Sequence, residues 1–139
     1  TTLLCVGETA QEKEFKISAE VLRTQLKVGL HGVAKEQIEK VWIAYEPVWS
    51  IGVNGTPAPV DYAQAMHKVI KDCLEEMFGK EGRMIPALYG GSVNPDNSNA
   101  LIVQPDIDGL FTTRTAFQVE AFTKLIEDAI AACKEAGTF

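Results

Sequence analysis

No apolar run in this sequence approaches the roughly 20 residues that a helix needs to cross a bilayer. No cluster of Lys and Arg is present to meet a nucleic-acid backbone, and the net charge of -6 argues against such a partner. A small phosphorylated ligand stays open, because backbone amides can hold an anion locally. Cysteine is scarce. Cys5, Cys73 and Cys133 are odd in number, widely spaced and set among apolar residues. They read as buried, reduced thiols of a cytoplasmic protein. A zinc site would want closer pairs, and no motif asks for a metal or a cofactor. The opening residues Thr1 to Val6 have no initiating Met and no basic leader of a secretory signal, so the chain reads as a fragment or a processed product. Low-complexity stretches, linkers and close repeats are also missing. What remains is ordinary globular material: 139 residues, 46% hydrophobic and 23% charged. That length suits one compact unit burying roughly two thirds of its unfolded surface.

Four short apolar stretches read as strands: Leu3 to Val6, Val41 to Tyr45, Ile85 to Tyr89 and Asp108 to Phe111. Helical patterns separate them. Ser18 is placed to cap the first helix, with Ile17 and Leu22 as a hydrophobic staple and Val21, Leu22, Leu26 and Leu30 as its apolar stripe. A second helix is predicted from about Pro59 to Phe78, with Ala63, Met66, Ile70, Leu74 and Met77 on one face and Gly79 as its stop. A short third helix is expected to start at Asn94-Pro95. The last carries Phe122, Ile126, Ala129 and Cys133 on one face and ends near Gly137. Pro86 belongs at a strand start or a bulge. Strand alternating with helix four times implies an α/β fold with parallel strands. It fits either an open doubly wound sheet or half of an eight-stranded barrel, and periodicity does not choose between them. Four units alone leave two strand edges to be covered.

The segment from Val41 to Trp49 carries the most chemistry. Strand alternation puts Trp42, Ala44 and Glu46 on one face and Val41, Ile43 and Tyr45 on the other. Glu46 then ends a strand at its C-terminal side, where parallel α/β folds place their active sites. Pro47 restrains Glu46 to extended conformations. Small and turn-forming residues come next, from Ser50 to Pro57, with stiff ones on either side. That composition suits a lid moving between two hinges.

The string Ala44-Tyr45-Glu46-Pro47-Val48-Trp49-Ser50-Ile51-Gly52 closely resembles the signature of the triosephosphate isomerase family. Tyr89-Gly90-Gly91-Ser92-Val93 resembles that family's phosphate-binding turn after its seventh strand. Cys5-Val6-Gly7-Glu8 matches the fifth strand, and Asp108-Gly109-Leu110-Phe111 the eighth. Order and spacing are kept across essentially the whole chain. The resemblance implies a single partial domain over residues 1–139, four βα units forming the C-terminal half of a TIM (β/α)8 barrel. It implies an aldose–ketose isomerase of a small sugar phosphate, most simply glyceraldehyde 3-phosphate and dihydroxyacetone phosphate of glycolysis and gluconeogenesis. Glu46 would be the base, moving a proton between adjacent carbons through an enediolate; the family is itself a standard example of such carboxylate tuning. Gly52, Gly90, Gly91, Ser92, Thr113 and Arg114 would contact substrate or phosphate. Pro47, Val48, Trp49, Gly55, Thr56 and Pro57 would form the lid hinges.

The chain also departs from the family. After Phe111 the family usually has a small residue and then Gly-Gly, whereas here Thr112-Thr113-Arg114-Thr115 stands. Arg114 can bind the phosphate bidentately, fold outward, or neutralise a nearby acid. In the lid, Asn54 replaces a common Gly, Gly55 a common Lys and Pro57 a common Ala; Gly55 is expected to loosen its hinge and Pro57 to stiffen it. These changes fit a paralogue acting on a four-carbon tetrulose phosphate. The family's Lys and Asn of the first strand and His of the fourth are unmatched. His31, past a helix end, and His67, inside the second helix, read as surface or helix-packing residues. The expected partners are therefore a complementary N-terminal half-barrel of roughly 120 residues and, for the complete protein, a second copy in a homodimer. Alone, the chain is expected to be nearly inactive. A noncatalytic phosphate-binding half-barrel, and an unrelated barrel enzyme acting on another phosphorylated metabolite, are the other readings.

Overall fold

The structure, a computed structural model, describes residues 1–52 and 55–138. Strand β1 (Thr2–Val6) is followed by the short helix α1 (Ala10–Glu14) and by α2 (Ser18–Gly29). Then come β2 (Val41–Tyr45), α3 (Val60–Phe78), β3 (Ala87–Tyr89), α4 (Ser98–Ile102), β4 (Gly109–Leu110) and α5 (Val119–Ala136). All four strands are parallel and lie in chain order β1-β2-β3-β4. A doubly wound sheet would reverse strand order at a switch point. This one never reverses, as expected of half a (β/α)8 barrel.

Strand alternation sorts the two faces. Val41, Ile43 and Tyr45 are buried toward the helices with Leu22, Leu26, Ile70 and Leu74. Each such fully buried aliphatic side chain stabilises the fold by about 1.5–3 kcal/mol over leaving it exposed. The opposite face, lined by Leu3, Cys5 and Trp42, stays open, Trp42 at 42% of its surface. Cys5 therefore corrects the expectation of three buried thiols: it sits on the open face of β1, exposed, whereas Cys73 and Cys133 are buried.

Local details differ from expectation in instructive ways. Ser18 does not cap α2. Ile17 holds the cap position without a side-chain bond, and the Ser18 hydroxyl pairs instead with the Tyr62 hydroxyl at 2.9 Å. Helix α1 was not anticipated, although its start is a capping box in which Thr9 and Glu12 satisfy each other's backbone amides. Asn94 accepts from the Asp96 and Asn97 amides, an Asx turn, so the helix begins at Ser98 rather than at Pro95. Pro86 precedes β3, and its carbonyl accepts from the Ile43 amide. Gly79 ends α3 at φ +78°, a conformation few other residues take without strain. The apolar face of α5 is only half covered, with Phe122 and Ile126 at 36% and 42% exposure. Between it, α4 and β4 runs a groove of about 530 Å³ lined by Ile102, Ile107, Leu125 and Ile130 among others.

His67 on α3 is fully buried, edge-on to the Tyr45 ring at 5.5 Å between centroids. Burial drives its pKa down to about 3, and the Lys71 charge lowers it too. The Asp106 backbone opposes the shift, although neither ring nitrogen reaches a partner at full hydrogen-bond geometry. The unfolded chain takes up this proton near pH 6.5 while the folded one refuses it until about pH 3. The contribution is thus intact above the ordinary pKa and lost as pH falls through that window. Between about pH 7 and about pH 4.5, wild type should lose about 2–3 kcal/mol more unfolding free energy than His67→Phe. Urea titrations of both proteins at the two pH values measure the difference; parallel losses would remove His67 from the explanation.

Candidate active site

The carboxyl ends of the strands build the site. The Glu46 amide donates to the Val6 carbonyl at 2.7 Å, the Gly90 amide to Tyr45 at 2.8 Å and the Phe111 amide to Tyr89 at 2.8 Å. These bonds extend the sheet by one residue past each strand and fix where Glu46, Gly90 and Phe111 sit. Glu46, half-buried, lines a cavity of about 230 Å³ together with Gly52, Gly90, Gly91 and Ser92 from two loops and Thr113 and Arg114 from a third. All of the residues expected to contact substrate therefore border one space. It is smaller than the groove beside α5 but, unlike that groove, combines a carboxylate, a cation and a turn of backbone amides.

Gly90 is fixed by contact. A Cβ there would stand 2.7 Å from Glu46 Cγ and 3.1 Å from the Phe111 ring. Gly7 is as constrained on the other side, since a Cβ would fall 1.9 Å from the Glu46 carbonyl oxygen. The backbone of two neighbouring loops thus leaves Glu46 little room to wander. The Cys5 thiol is pushed up to about 11, chiefly by its hydrogen bond to Glu46, then by burial and by the carboxylate's charge. It is a neutral neighbour of the carboxylate.

The lid stem is anchored from below. Pro47 is buried, and Val48–Ser50 form one 3-10 turn. Glu8, fully buried, accepts from Trp49 Nε1 at 2.8 Å, from the Tyr62 hydroxyl at 2.8 Å and from the Tyr45 hydroxyl at 3.1 Å. Burial raises the Tyr45 hydroxyl, as does the Glu8 charge, and pushes Tyr62 up to about 12, so both remain neutral donors. The Glu8 carbonyl also takes the Val48 amide. On the outer side, Lys13 of α1 places its ammonium 3.4 Å over the Trp49 ring, a cation–π contact. The second arm returns through the Thr56 amide, which donates to the Trp49 carbonyl at 3.3 Å. Gly55 is packed hard against the Ser50 carbonyl, where a Cβ would lie at 2.3 Å. Glycine there serves close approach between the two arms of the lid. Pro57 is exposed beyond it. Asn54 lies outside the described residues.

Three placements were not foreseen. Ser50 is fully buried, and its hydroxyl accepts from the Ser92 amide at 3.2 Å, with the Tyr89 hydroxyl 3.5 Å away. The amide expected to face a phosphate is therefore engaged by the lid stem in this conformation. Arg114, itself exposed, donates from Nη2 to the Gly52 carbonyl at 3.2 Å and pairs with no acid among the described residues. Glu8 collects its donors from positions 37, 41 and 54 residues away. Only the Trp-after-Glu-Pro-Val string hinted that an indole would need an acceptor. Among the described residues no group of His, Cys, Asp and Glu side chains is arranged to hold a metal ion, and no helix is long and apolar enough to cross a membrane.

Comparison with known proteins finds relatives over most of the chain. L-erythrulose-1-phosphate isomerase of Rhizobium etli is 47% identical over 133 residues, covering 95% of this chain and 49% of that protein. The enzyme of the same name from Rhizobium meliloti is 44% identical over 128 residues, 90% and 48% of the two chains. Triosephosphate isomerase of Carboxydothermus hydrogenoformans is 43% identical over 129 residues, 92% and 51%. The chain thus spans about half the length of the curated relatives it matches. The triosephosphate isomerase family model covers residues 1–129, from the first strand into the last helix. With the motifs, the strand order and this match in agreement, the chain belongs to the triosephosphate isomerase family.

Proposed function

We propose that this chain supplies the proton-transferring carboxylate, the lid and the anion cradle of an aldose–ketose isomerase acting on a small sugar phosphate. The observation that carries the reading is the shared cavity: Glu46 on one wall, the Gly90-Gly91-Ser92 turn beside it and Arg114 opposite the lid. Its volume of about 230 Å³ suits a ligand of a few carbons and one anionic group.

Glu46 accepts a proton from the carbon next to the substrate carbonyl. The C–H pair becomes the double bond of an enediolate, and charge moves onto oxygen. Transfer of the hydroxyl proton from one enediolate oxygen to the other, and return of the first proton to the neighbouring carbon, complete the interconversion of ketose and aldose. Gly90 and Gly91 let backbone approach the anion, while Thr113 and Arg114 complete its cradle. The groups that stabilise charge on oxygen come from a complementary N-terminal half-barrel, and the complete protein is a cytoplasmic homodimer. No cofactor takes part.

A triose phosphate is the simplest substrate. A tetrulose phosphate is the second reading, supported by Arg114 where the family usually has glycine and by the two relatives named for L-erythrulose 1-phosphate. The test is to mix the chain with a separately made N-terminal half and assay both substrates. Turnover should arise only in the mixture, and the preferred substrate decides the chain length. Comparable turnover by the chain alone, or none in a mixture shown to assemble, would overturn the proposal.

A further inference from the structure

We propose that Arg114 is a strap that couples the bound anion to the lid: one guanidinium N–H holds the Gly52 carbonyl while the others bind the anionic group of the substrate. The inference rests on the isomerase reading above and adds a positioning role to it.

Four observations lead there. Arg114 begins the turn after β4, yet its Nη2 reaches the lid, 62 residues away, at 3.2 Å. The acceptor is a focal point of the lid, because the Gly52 carbonyl also takes the Gly55 amide at 3.3 Å. Gly52 holds that turn with φ at +85°, in the left-handed region. Arg114 and Gly52 both border the cavity of Glu46, and Arg114 is the cavity's sole Lys or Arg among the described residues that line it. In a chain of net charge -6, an anion entering this space finds its positive side chain there. Finally, a guanidinium carries five N–H donors in a planar fork. One is used on Gly52, and among the described residues the Arg114 side chain has no other hydrogen bond or ion pair. The remaining edge can meet two phosphate oxygens at once.

Magnitude sets the direction of the coupling. A single bond from an exposed arginine to a carbonyl competes with water and contributes little net. It cannot hold a lid by itself. An anion on the same guanidinium fixes the side chain, excludes water and strengthens the bond to Gly52. Lid position and anion affinity then rise together, as reciprocal coupling requires.

The test uses the barrel reconstituted from this chain and its complementary half, with inorganic phosphate as the probe. Amide hydrogen exchange of residues 47–57 is monitored with and without phosphate, at concentrations that saturate each variant by calorimetry. Phosphate should slow exchange of that segment in wild type by about tenfold, within the usual range of coupling between two sites. Arg114→Gln should bind phosphate about tenfold more weakly and, once saturated, show less than about twofold slowing. Arg114→Lys should recover most of the affinity but little of the slowing, since a point charge lacks the fork. Equal slowing in saturated wild type and Arg114→Gln would remove the strap and leave the isomerase reading standing. Phosphate that neither binds wild type nor competes with a ketose phosphate would overturn both.

Discussion

Replacing Glu46 by Gln in the reconstituted barrel is expected to lower kcat by about 10²–10⁴, with a much smaller change in KM. Gln is nearly the same size, so the walls made by Gly7, Gly90 and Phe111 stay filled. The ability to accept a proton from carbon disappears. Substrate held by Arg114 and by the Gly90-Gly91-Ser92 turn should still bind. Glu46→Asp separates basicity from placement. It keeps a carboxylate but withdraws it by one methylene, and a misplacement of about 1 Å costs on the order of 10²-fold. Steady-state assays of the three proteins, with phosphate inhibition as a check on the anion site, decide the matter. A Gln variant that retains kcat within about threefold would exclude Glu46 from proton transfer, since general-base losses begin near 10²-fold. An unchanged kcat with a large rise in KM would instead assign it to binding.

The position of Glu46 at a strand end was legible because the pattern that places it there is local in sequence. Val41, Ile43 and Tyr45 are buried with Trp42 exposed between them, the strand register runs on by one residue to Glu46 although Ala44 is buried too, and Pro47 restrains Glu46 to extended backbone. Strand order was legible only through motifs, since a period of two fits either topology. Other features escaped for physical reasons. Ser18 has the chemistry of a cap, but the Tyr62 hydroxyl, 44 residues away, offered a better partner in the folded state. Cys5 looks like a core thiol in sequence, yet its face of β1 is uncovered among the described residues. Arg114 could be recognised as a departure, but its acceptor lies 62 residues off on the lid. Helix α1 is the one omission that sequence could have prevented: Thr9 and Glu12 have capping-box spacing, but a helix of only five residues leaves too short a periodic pattern to stand out.

Glu8→Ala should be the most destabilising single change at the site, by about 3–5 kcal/mol, within the range seen when a buried charged partner is removed. The carboxylate is fully buried and collects Tyr45, Tyr62 and Trp49 as donors. Truncation leaves these groups pointing into a dry hole, each orphan costing about 1–3 kcal/mol, the largest share falling on Tyr45 because it is fully buried. Tyr62 is partly exposed and can turn to water, which keeps the total below the simple sum. Glu8→Gln should be milder, at about 1–2 kcal/mol, because one oxygen still accepts while the new amide faces donors. The same change reaches function through Trp49, whose indole hangs on Glu8 while Lys13 covers its other side. A double-mutant cycle of Glu8→Gln with Trp49→Phe should therefore show coupling of about 1–2 kcal/mol in urea unfolding. In the reconstituted barrel each single change should lower kcat, and the two together should cost little more than either one. Strict additivity in both measurements would mean that Glu8 holds up the core without holding the lid.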